Sequence, residues 1–182
     1  MNDDGGGAVN GLKRFLILSV MICLVLMVSA AGCKKSPEVT PSGTLLRSNG
    51  CKQFLTNASG QMDGYVPGPH EDCIEYRYNG KDTLVLMHIN AGFNCDPGEI
   101  TADIEFNGNV ITITERESQQ GADCLCLFDV DYEIINLSPG EYTLRVTGLY
   151  VHADDRILEF PLQLLSETSG NYCLPRSYYP WI

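Results

Sequence analysis

The sequence is poor in basic residues, and this scarcity limits the functions to be expected. Its 182 residues include 12 Lys and Arg against 23 Asp and Glu, which gives a net charge of −11 at pH 7. Removing residues 1–32 would leave this charge unchanged, since Asp3, Asp4, Lys13 and Arg14 would be lost together. Proteins that bind nucleic acid need basic patches to neutralise phosphates. Nucleic acid is therefore excluded as an expected partner.

Histidines and catalytic motifs are also scarce. The histidines are His70, His88 and His152, and the chain has no G-x-S-x-G, H-E-x-x-H or P-loop sequence. His88 alternates with Leu84 and Leu86 along a predicted strand, so we expect a buried, hydrogen-bonded histidine rather than a general base. The sequence thus predicts no catalytic residue, no cofactor and no resident metal, and we do not expect an enzyme.

A long apolar run occurs only near the N-terminus. Lys13-Arg14 precede the apolar segment Phe15–Val28 and then Ser29-Ala30-Ala31-Gly32-Cys33, the three-part layout of an export signal. The last four residues resemble the bacterial lipobox, which implies acylation of the Cys33 thiol, including palmitate, and cleavage before it. Two or more acyl chains give stable membrane anchoring. The alternative is an uncleaved transmembrane helix over Phe15–Gly32, which approaches the length needed to span a bilayer.

The rest of the chain divides by composition. Lys34–Leu46 has two prolines, small polar residues and no apolar periodicity, which is typical of a flexible linker. The C-terminal residues hold the only tryptophan, and they would either dock against the domain or present an aromatic binding surface. We predict a lipoprotein signal peptide over residues 1–32 and a lipidated cysteine with a flexible linker over residues 33–50. A folded domain would follow over residues 51–176, and an aromatic tail over residues 177–182.

Six cysteines remain for the folded domain once Cys23 and Cys33 are set aside. An even number in an oxidising compartment predicts three disulfides. A Cys124–Cys126 bond is disfavoured, because residues two apart in a strand have Cα atoms about 6.6–6.8 Å apart; the other pairings stay open. The alternative is a zinc site made of Cys95, Cys124, Cys126 and His88. The six residues are Cys51, Cys73, Cys95, Cys124, Cys126 and Cys173.

Two hairpins are predicted from Asn-Gly pairs, which favour two-residue turns. The first joins Cys73–Tyr78 to Thr83–Asn90 through Asn79-Gly80. The second joins Ile100–Phe106 to Asn109–Glu115 through Asn107-Gly108. A two-residue turn in the second hairpin would place Ile104 opposite Ile111 and Ala102 opposite Ile113, so that one face is apolar.

Three further strands follow, and together the segments predict an all-β antiparallel sandwich of about seven strands. They are Cys124–Asn136, Glu141–Val151 and Arg156–Leu164. Leu137–Val146 resembles the L-x-P-G-x-Y-x-L-x-V run at the E to F corner of fibronectin type III and other immunoglobulin-like domains. This resemblance implies an immunoglobulin-like fold, with Tyr142 bonding through its hydroxyl to upstream backbone.

Asp129, Asp131 and Glu133 fall on one face of a predicted strand and form a candidate acidic patch. We expect a solvated outer face. Calcium binding is the alternative, since calcium takes oxygen ligands, although one strand cannot surround an ion. Asn94, Asp96 and Glu99 form a second oxygen-rich set.

A wider resemblance runs through His88–Cys95, Ile111–Glu115 and Cys124–Tyr132. These segments resemble uncharacterised bacterial lipoproteins, many from Bacteroides-type organisms, with a cysteine-rich β domain. The resemblance implies compartment and fold but no activity. We therefore expect a lipid-anchored protein of the cell envelope with a non-catalytic binding or structural role toward an envelope protein or glycan. It would lie in the outer membrane and face the periplasm, with the cell surface as the alternative face.

Two other functions stay open at this point. One is an envelope protease inhibitor or chaperone-like module that would present the loops Gly64–Cys73 and Gly92–Glu99. The other is a calcium-dependent adhesin that would use the acidic patch.

Overall fold

The computed structural model describes residues 39–52, 67–121, 123–150 and 156–177. Within these ranges there is no helix of the length and apolar character needed to cross a membrane. The predicted signal peptide and Cys33 lie outside the described residues. The strands are β1 (Ser42–Ser48), β2 (Glu71–Asn79), β3 (Leu84–Asn94), β4 (Ile100–Asn107), β5 (Val110–Glu117), β6 (Leu125–Ile135), β7 (Gly140–Thr147), β8 (Leu158–Leu164) and β9 (Glu167–Pro175).

The strands form two sheets that enclose an apolar core. One has five strands in the order β1-β6-β3-β2-β9, and the other has four in the order β4-β5-β7-β8. Alternate residues of each strand point into the core, where Leu86, Ile113, Val130, Leu144 and Leu162 are buried. The predicted all-β sandwich is confirmed. Among the described residues it has nine strands rather than about seven, because β1 and β9 add to the predicted set.

Strand β1 corrects the predicted linker. It pairs antiparallel with β6, with Leu45 opposite Tyr132. It also packs closely on β4, since a Cβ on Gly43 would lie 2.7 Å from the Ile104 side chain. The interpretation of 33–50 as flexible linker is therefore wrong for Ser42–Ser48. The segment has too few apolar residues to indicate a strand by itself, and its order comes from β6 and β4.

The first hairpin forms, but not through a two-residue turn. Tyr78 pairs with Leu84, which leaves a longer connection between β2 and β3. The Asn79 Oδ1 atom accepts hydrogen bonds from the backbone N–H groups of Lys81, Asp82 and Thr83 at 2.9, 2.9 and 3.0 Å. The side chain of Asn79 thus organises a wider loop, as Asn commonly does in turns.

The second hairpin also forms, with its register shifted by two residues. Ile104 lies opposite Ile113, and Asn107 pairs with Val110, so Gly108 and Asn109 make the turn. Gly108 has a φ of 58° at the first turn position, which matches a type II′ turn. The predicted partners were wrong. The predicted apolar face was right, because side chains alternate with a period of two and an even shift keeps every residue on its face.

The expectation of purely antiparallel sheets is wrong for one pair. Strands β5 and β7 pair in parallel, with Ile111 beside Leu144 and Ile113 beside Val146. The reason is topological. Strand β6, which follows β5 in the chain, pairs in the other sheet, so the chain reverses direction twice before β7 reaches the side of β5.

A bulge at Asn90 redirects the side chains of β3. The register with β6 shifts between Ile89 and Ala91, and Asn90 has a φ of 68°. Asn adopts this left-handed conformation more readily than most residues. Even-numbered residues face the core before the bulge, whereas Ala91 and Phe93 do so after it.

Candidate functional site

Three charged residues occupy inward-facing strand positions. On β5, Glu115 lies on the same inward face as Ile111 and Ile113. His88 lies on the inward face of β3, and Asp72 is the first inward-facing residue of β2. Their exposed fractions are 2%, 5% and 3%. Because the two sheets face each other, Glu115 of one sheet contacts His88 of the other, and His88 in turn contacts Asp72. Buried charges of this kind require partners.

These residues form a buried charged cluster with Tyr132 and Arg176. The His88 Nδ1 atom is 2.6 Å from Glu115 Oε1, and its Nε2 atom is 2.7 Å from Asp72 Oδ1. Arg176 donates from Nε to Asp72 Oδ2 at 2.9 Å and from Nη2 to the same oxygen. The Tyr132 hydroxyl donates to Glu115 Oε1 at 2.5 Å. Arg176 also donates to the carbonyl oxygen of Arg156 at 2.6 Å.

The cluster pairs two carboxylates with two cations. Burial lowers the pKa of His88, but the negative charges of Glu115 and Asp72 outweigh it and raise this pKa to about 10. Burial likewise opposes ionisation of Asp72, yet His88 and Arg176 bring the pKa of Asp72 below its usual range. Burial and the nearby Glu115 carboxylate raise the pKa of Tyr132. At neutral pH, His88 is therefore an imidazolium that donates through both ring nitrogens.

This geometry decides what the cluster can do chemically. Both ring nitrogens of His88 are bonded to carboxylates, so neither can accept a proton from a nucleophile or water. A space of about 10 Å³ adjoins Asp72, His88 and Glu115, which is room for about one water molecule. The expectation of a buried, hydrogen-bonded His88 is confirmed. The cluster connects the two sheets through charge-assisted hydrogen bonds.

The cluster makes stability depend on pH on the alkaline side. The pKa of His88 is about 10 in the folded state, against 6.5 for an ordinary histidine. Between these values the folded protein holds a proton that the unfolded chain releases, so the free energy of unfolding should fall by up to about 1.4 kcal/mol per pH unit. Denaturant titrations from pH 5 to 10 would measure this decline. A His88→Leu variant should have a shallower slope, and an equal slope would contradict the assignment.

The six cysteines pair as three disulfides, as predicted. The bonds are Cys51–Cys126, Cys73–Cys173 and Cys95–Cys124, with Cα separations of 5.6, 4.1 and 5.6 Å. Cys73 and Cys173 lie directly opposite each other on β2 and β9. The zinc alternative is wrong, because its three thiols are consumed in disulfides and His88 belongs to the buried charged cluster.

The acidic patch lies on the outer face of the five-stranded sheet, where Asp129, Asp131 and Glu133 are half-buried. Lys52 Nζ is 2.5 Å from Asp129 Oδ1, and Arg47 forms an ion pair with Asp131. Two of its three carboxylates thus have cationic partners. Within the described ranges, no group of three His, Cys, Asp or Glu side chains could hold a metal ion.

The second oxygen-rich set forms a local turn. Asn94 lies at the end of β3, and its Oδ1 atom accepts a hydrogen bond from the Asp96 backbone N–H at 3.0 Å. The Glu99 N–H donates to the Ser118 hydroxyl at 2.8 Å. These contacts connect the segment to its neighbours in the chain and to the end of β5.

A groove of about 520 Å³ runs across the same outer face of the five-stranded sheet. Its floor is formed by Val85 and Met87 on β3, which are half-buried. Glu75 on β2 and Asp131 on β6 lie on either side of Met87, and Arg77 lies beside Val85. Ser169 and Asn171 on β9 form its far side. We call this feature the outer groove.

The remaining predicted features fall mostly at the edges of the described structure. In the loop Gly64–Cys73, residues 64–66 lie outside the described residues and Glu71–Cys73 belong to β2. In the loop Gly92–Glu99, Gly92–Asn94 belong to β3, and Cys95 is held by its disulfide. His152 and residues 178–182 of the aromatic tail lie outside the described residues.

Sequence reasoning missed most of the buried charged cluster. The sequence did indicate that Glu115 faces the core. Side chains alternate along a strand, and Glu115 lies two residues after Ile113 and four after Ile111, which both face inward. Asp72 precedes the predicted start of β2, and Arg176 follows β9, which was not predicted at all. Their contact joins residues 104 positions apart, which local patterns cannot reveal.

Searches of protein-family models, curated proteins and solved structures found nothing that matches this chain.

Proposed function

We propose that the protein is a lipid-anchored binding module of the cell envelope, with no catalytic role, that holds an envelope protein or glycan in the outer groove. The binding role is supported by the groove itself, which has an apolar floor of Val85 and Met87 and charged residues on both sides. Such a combination suits a ligand that buries an apolar group and orients itself by hydrogen bonds.

The groove lies on a rigid part of the molecule. Its floor belongs to β3, which pairs on both sides with β2 and β6. The Cys73–Cys173 disulfide joins β2 to β9 across the same face. A surface already fixed in its binding conformation loses little conformational entropy on association, which favours affinity.

A Met87→Glu substitution should weaken binding about tenfold or more, since it places a third carboxylate between Glu75 and Asp131 and removes apolar contact area. Binding would be measured by capture of partners from cross-linked envelopes and on a glycan array. Thr101→Glu, on the exposed edge strand β4 of the other sheet, is the matched control. Equal capture by both variants would show that the outer groove is not the binding site.

The anchoring half of the proposal rests on the sequence around Cys33, and the three disulfides are consistent with an oxidising compartment. Because β1 begins at Ser42, a lipid on Cys33 would hold the domain within about 30 Å of the bilayer. Metabolic labelling with palmitate should mark the wild-type protein and not Cys33→Ser. Unlabelled wild-type protein, or processing insensitive to globomycin, would contradict anchoring.

We also propose that the sandwich is of the immunoglobulin-like kind. The Tyr142 hydroxyl donates to the carbonyl oxygen of Ser138 at 2.7 Å, the bond expected of a tyrosine corner. The parallel pairing of β5 with β7 is a departure from a purely antiparallel arrangement.

A further inference from the structure

Lys52, Asn90 and Asp129 bring an amine, a carboxamide and a carboxylate into direct contact. The Lys52 Nζ atom donates to Asn90 Oδ1 at 2.7 Å and is 2.5 Å from Asp129 Oδ1. The backbone N–H of Asn90 donates to the same Asp129 oxygen at 3.2 Å. The Lys52 and Asp129 side chains are only 21% and 20% exposed. The three groups therefore meet at a site with limited access to water.

The carboxamide of Asn90 is held in a single orientation. Its Nδ2 atom donates to the carbonyl oxygens of Gly68 and Glu71 at 2.9 and 2.6 Å, and the residue is fully buried. The bulge in β3 and the positive φ of Asn90 turn this side chain away from the inward-facing residues of the strand. Bulges often redirect a side chain next to a reactive site, and conformational strain concentrates at such sites.

We propose that Lys52 and Asn90 join through an intramolecular isopeptide bond, with Asp129 as the acid and base of the reaction. Asp129 first takes a proton from the Lys52 ammonium group, and the neutral amine then attacks Asn90 Cγ. The new bond is Nζ–Cγ, and the bond that breaks is Cγ–Nδ2. Asp129 passes this proton to the departing nitrogen, and then takes the surplus proton from Nζ and passes it to the same nitrogen, so that Asp129 ends as a carboxylate. One amine and one carboxamide give one secondary amide, and an ammonium ion leaves with the positive charge of Lys52.

The geometry favours this reaction through proximity. Groups held in contact by a fold react as though at very high concentration, which compensates for the low reactivity of an amide. The bond would close a loop between residues 38 positions apart and secure the chain after β1 to the central strand β3. Unlike the neighbouring Cys51–Cys126 disulfide, it would survive reduction.

The test is the mass of the purified protein, unfolded and with its disulfides reduced. The wild type should weigh one ammonia molecule less than its sequence, and a protease digest should contain one branched peptide that joins Lys52 to Asn90. Lys52→Arg keeps the positive charge but lacks the amine, so it should have the full mass. Lys81→Arg, at an exposed lysine, is the matched control and should retain the loss. Asp129→Asn should slow or abolish the loss.

Two results would overturn the proposal. One is a wild-type mass equal to the sequence mass, with no branched peptide. The other is an ammonia loss that persists in Lys52→Arg, which would assign it to a succinimide, for example at Asn79-Gly80 or Asn107-Gly108. Even if Lys52→Arg does not fold, the presence or absence of the branched peptide in the wild type shows whether the isopeptide bond forms. Met87→Glu should retain the ammonia loss, so this proposal and the binding proposal fail independently.

Discussion

Replacing His88 with leucine should lower the free energy of unfolding by about 3–5 kcal/mol, the cost of leaving a buried charge without its partner. His88 is the only cation in contact with Glu115 among the described residues, whereas Asp72 also has Arg176. Without the imidazolium, Glu115 would keep the Tyr132 hydroxyl but no positive charge. Denaturant unfolding at pH 7 would measure the change.

A second variant separates lost charge pairing from lost packing. His88→Leu combined with Glu115→Leu removes one cation and one anion, and the remaining Asp72–Arg176 pair is neutral. Because apolar replacement of a whole buried pair is often nearly neutral, the double variant should be more stable than His88→Leu alone. Arg116→Ala, which breaks the exposed Arg116–Asp103 pair, should change stability by at most about 1 kcal/mol. A double variant less stable than the single one would contradict this account.

Removing the Cys73–Cys173 disulfide, by replacing both residues with alanine, should have an effect of similar size. The bond joins residues 100 positions apart, and the loss of loop-closure entropy in the unfolded chain corresponds to about 4.7 kcal/mol for a loop of this length. It also joins the edge strand β9 to β2 beside the residues of the outer groove. Chemical denaturation of the oxidised variant would measure the loss.

The Cys95–Cys124 disulfide is the matched comparison. Its residues are 29 positions apart, and the same relation gives about 3.6 kcal/mol. Loss of Cys73–Cys173 should therefore cost about 1 kcal/mol more than loss of Cys95–Cys124. The reverse order would show that local native contacts, rather than chain entropy, determine the contribution of each bond.

Together these features describe a domain fixed by polar and covalent bonds as well as by its core. The buried charged cluster connects the two sheets, and the disulfides connect strands within the five-stranded sheet and its adjoining loops. Reactive chemistry at His88 is blocked by this same arrangement, because its bonds are already made. The outer groove lies on the solvent-facing side of the five-stranded sheet, away from the buried charged cluster.

Much of the fold could be predicted from the sequence, and the reasons are local. Alternation with a period of two identified seven strands and sorted their residues into inner and outer faces. This held even where the register was wrong, since Ile104 pairs with Ile113 rather than Ile111 and still faces the core. The order of strands in the sheets, including the parallel pair β5–β7, has no local signal.

The sequence by itself determined the acidic balance, the number of cysteines available for disulfides, the inward position of His88 and the apolar run before Cys33 on which the anchoring proposal rests. Tertiary structure decided which cysteines pair, that Ser42–Ser48 is a strand, that Asp72, Glu115 and Arg176 surround His88, and that Lys52 reaches Asn90. The division has one physical cause. Periodicity and composition record how a residue meets its immediate neighbours, whereas a buried charge or a polar edge strand is stable only beside partners that the chain brings from far away.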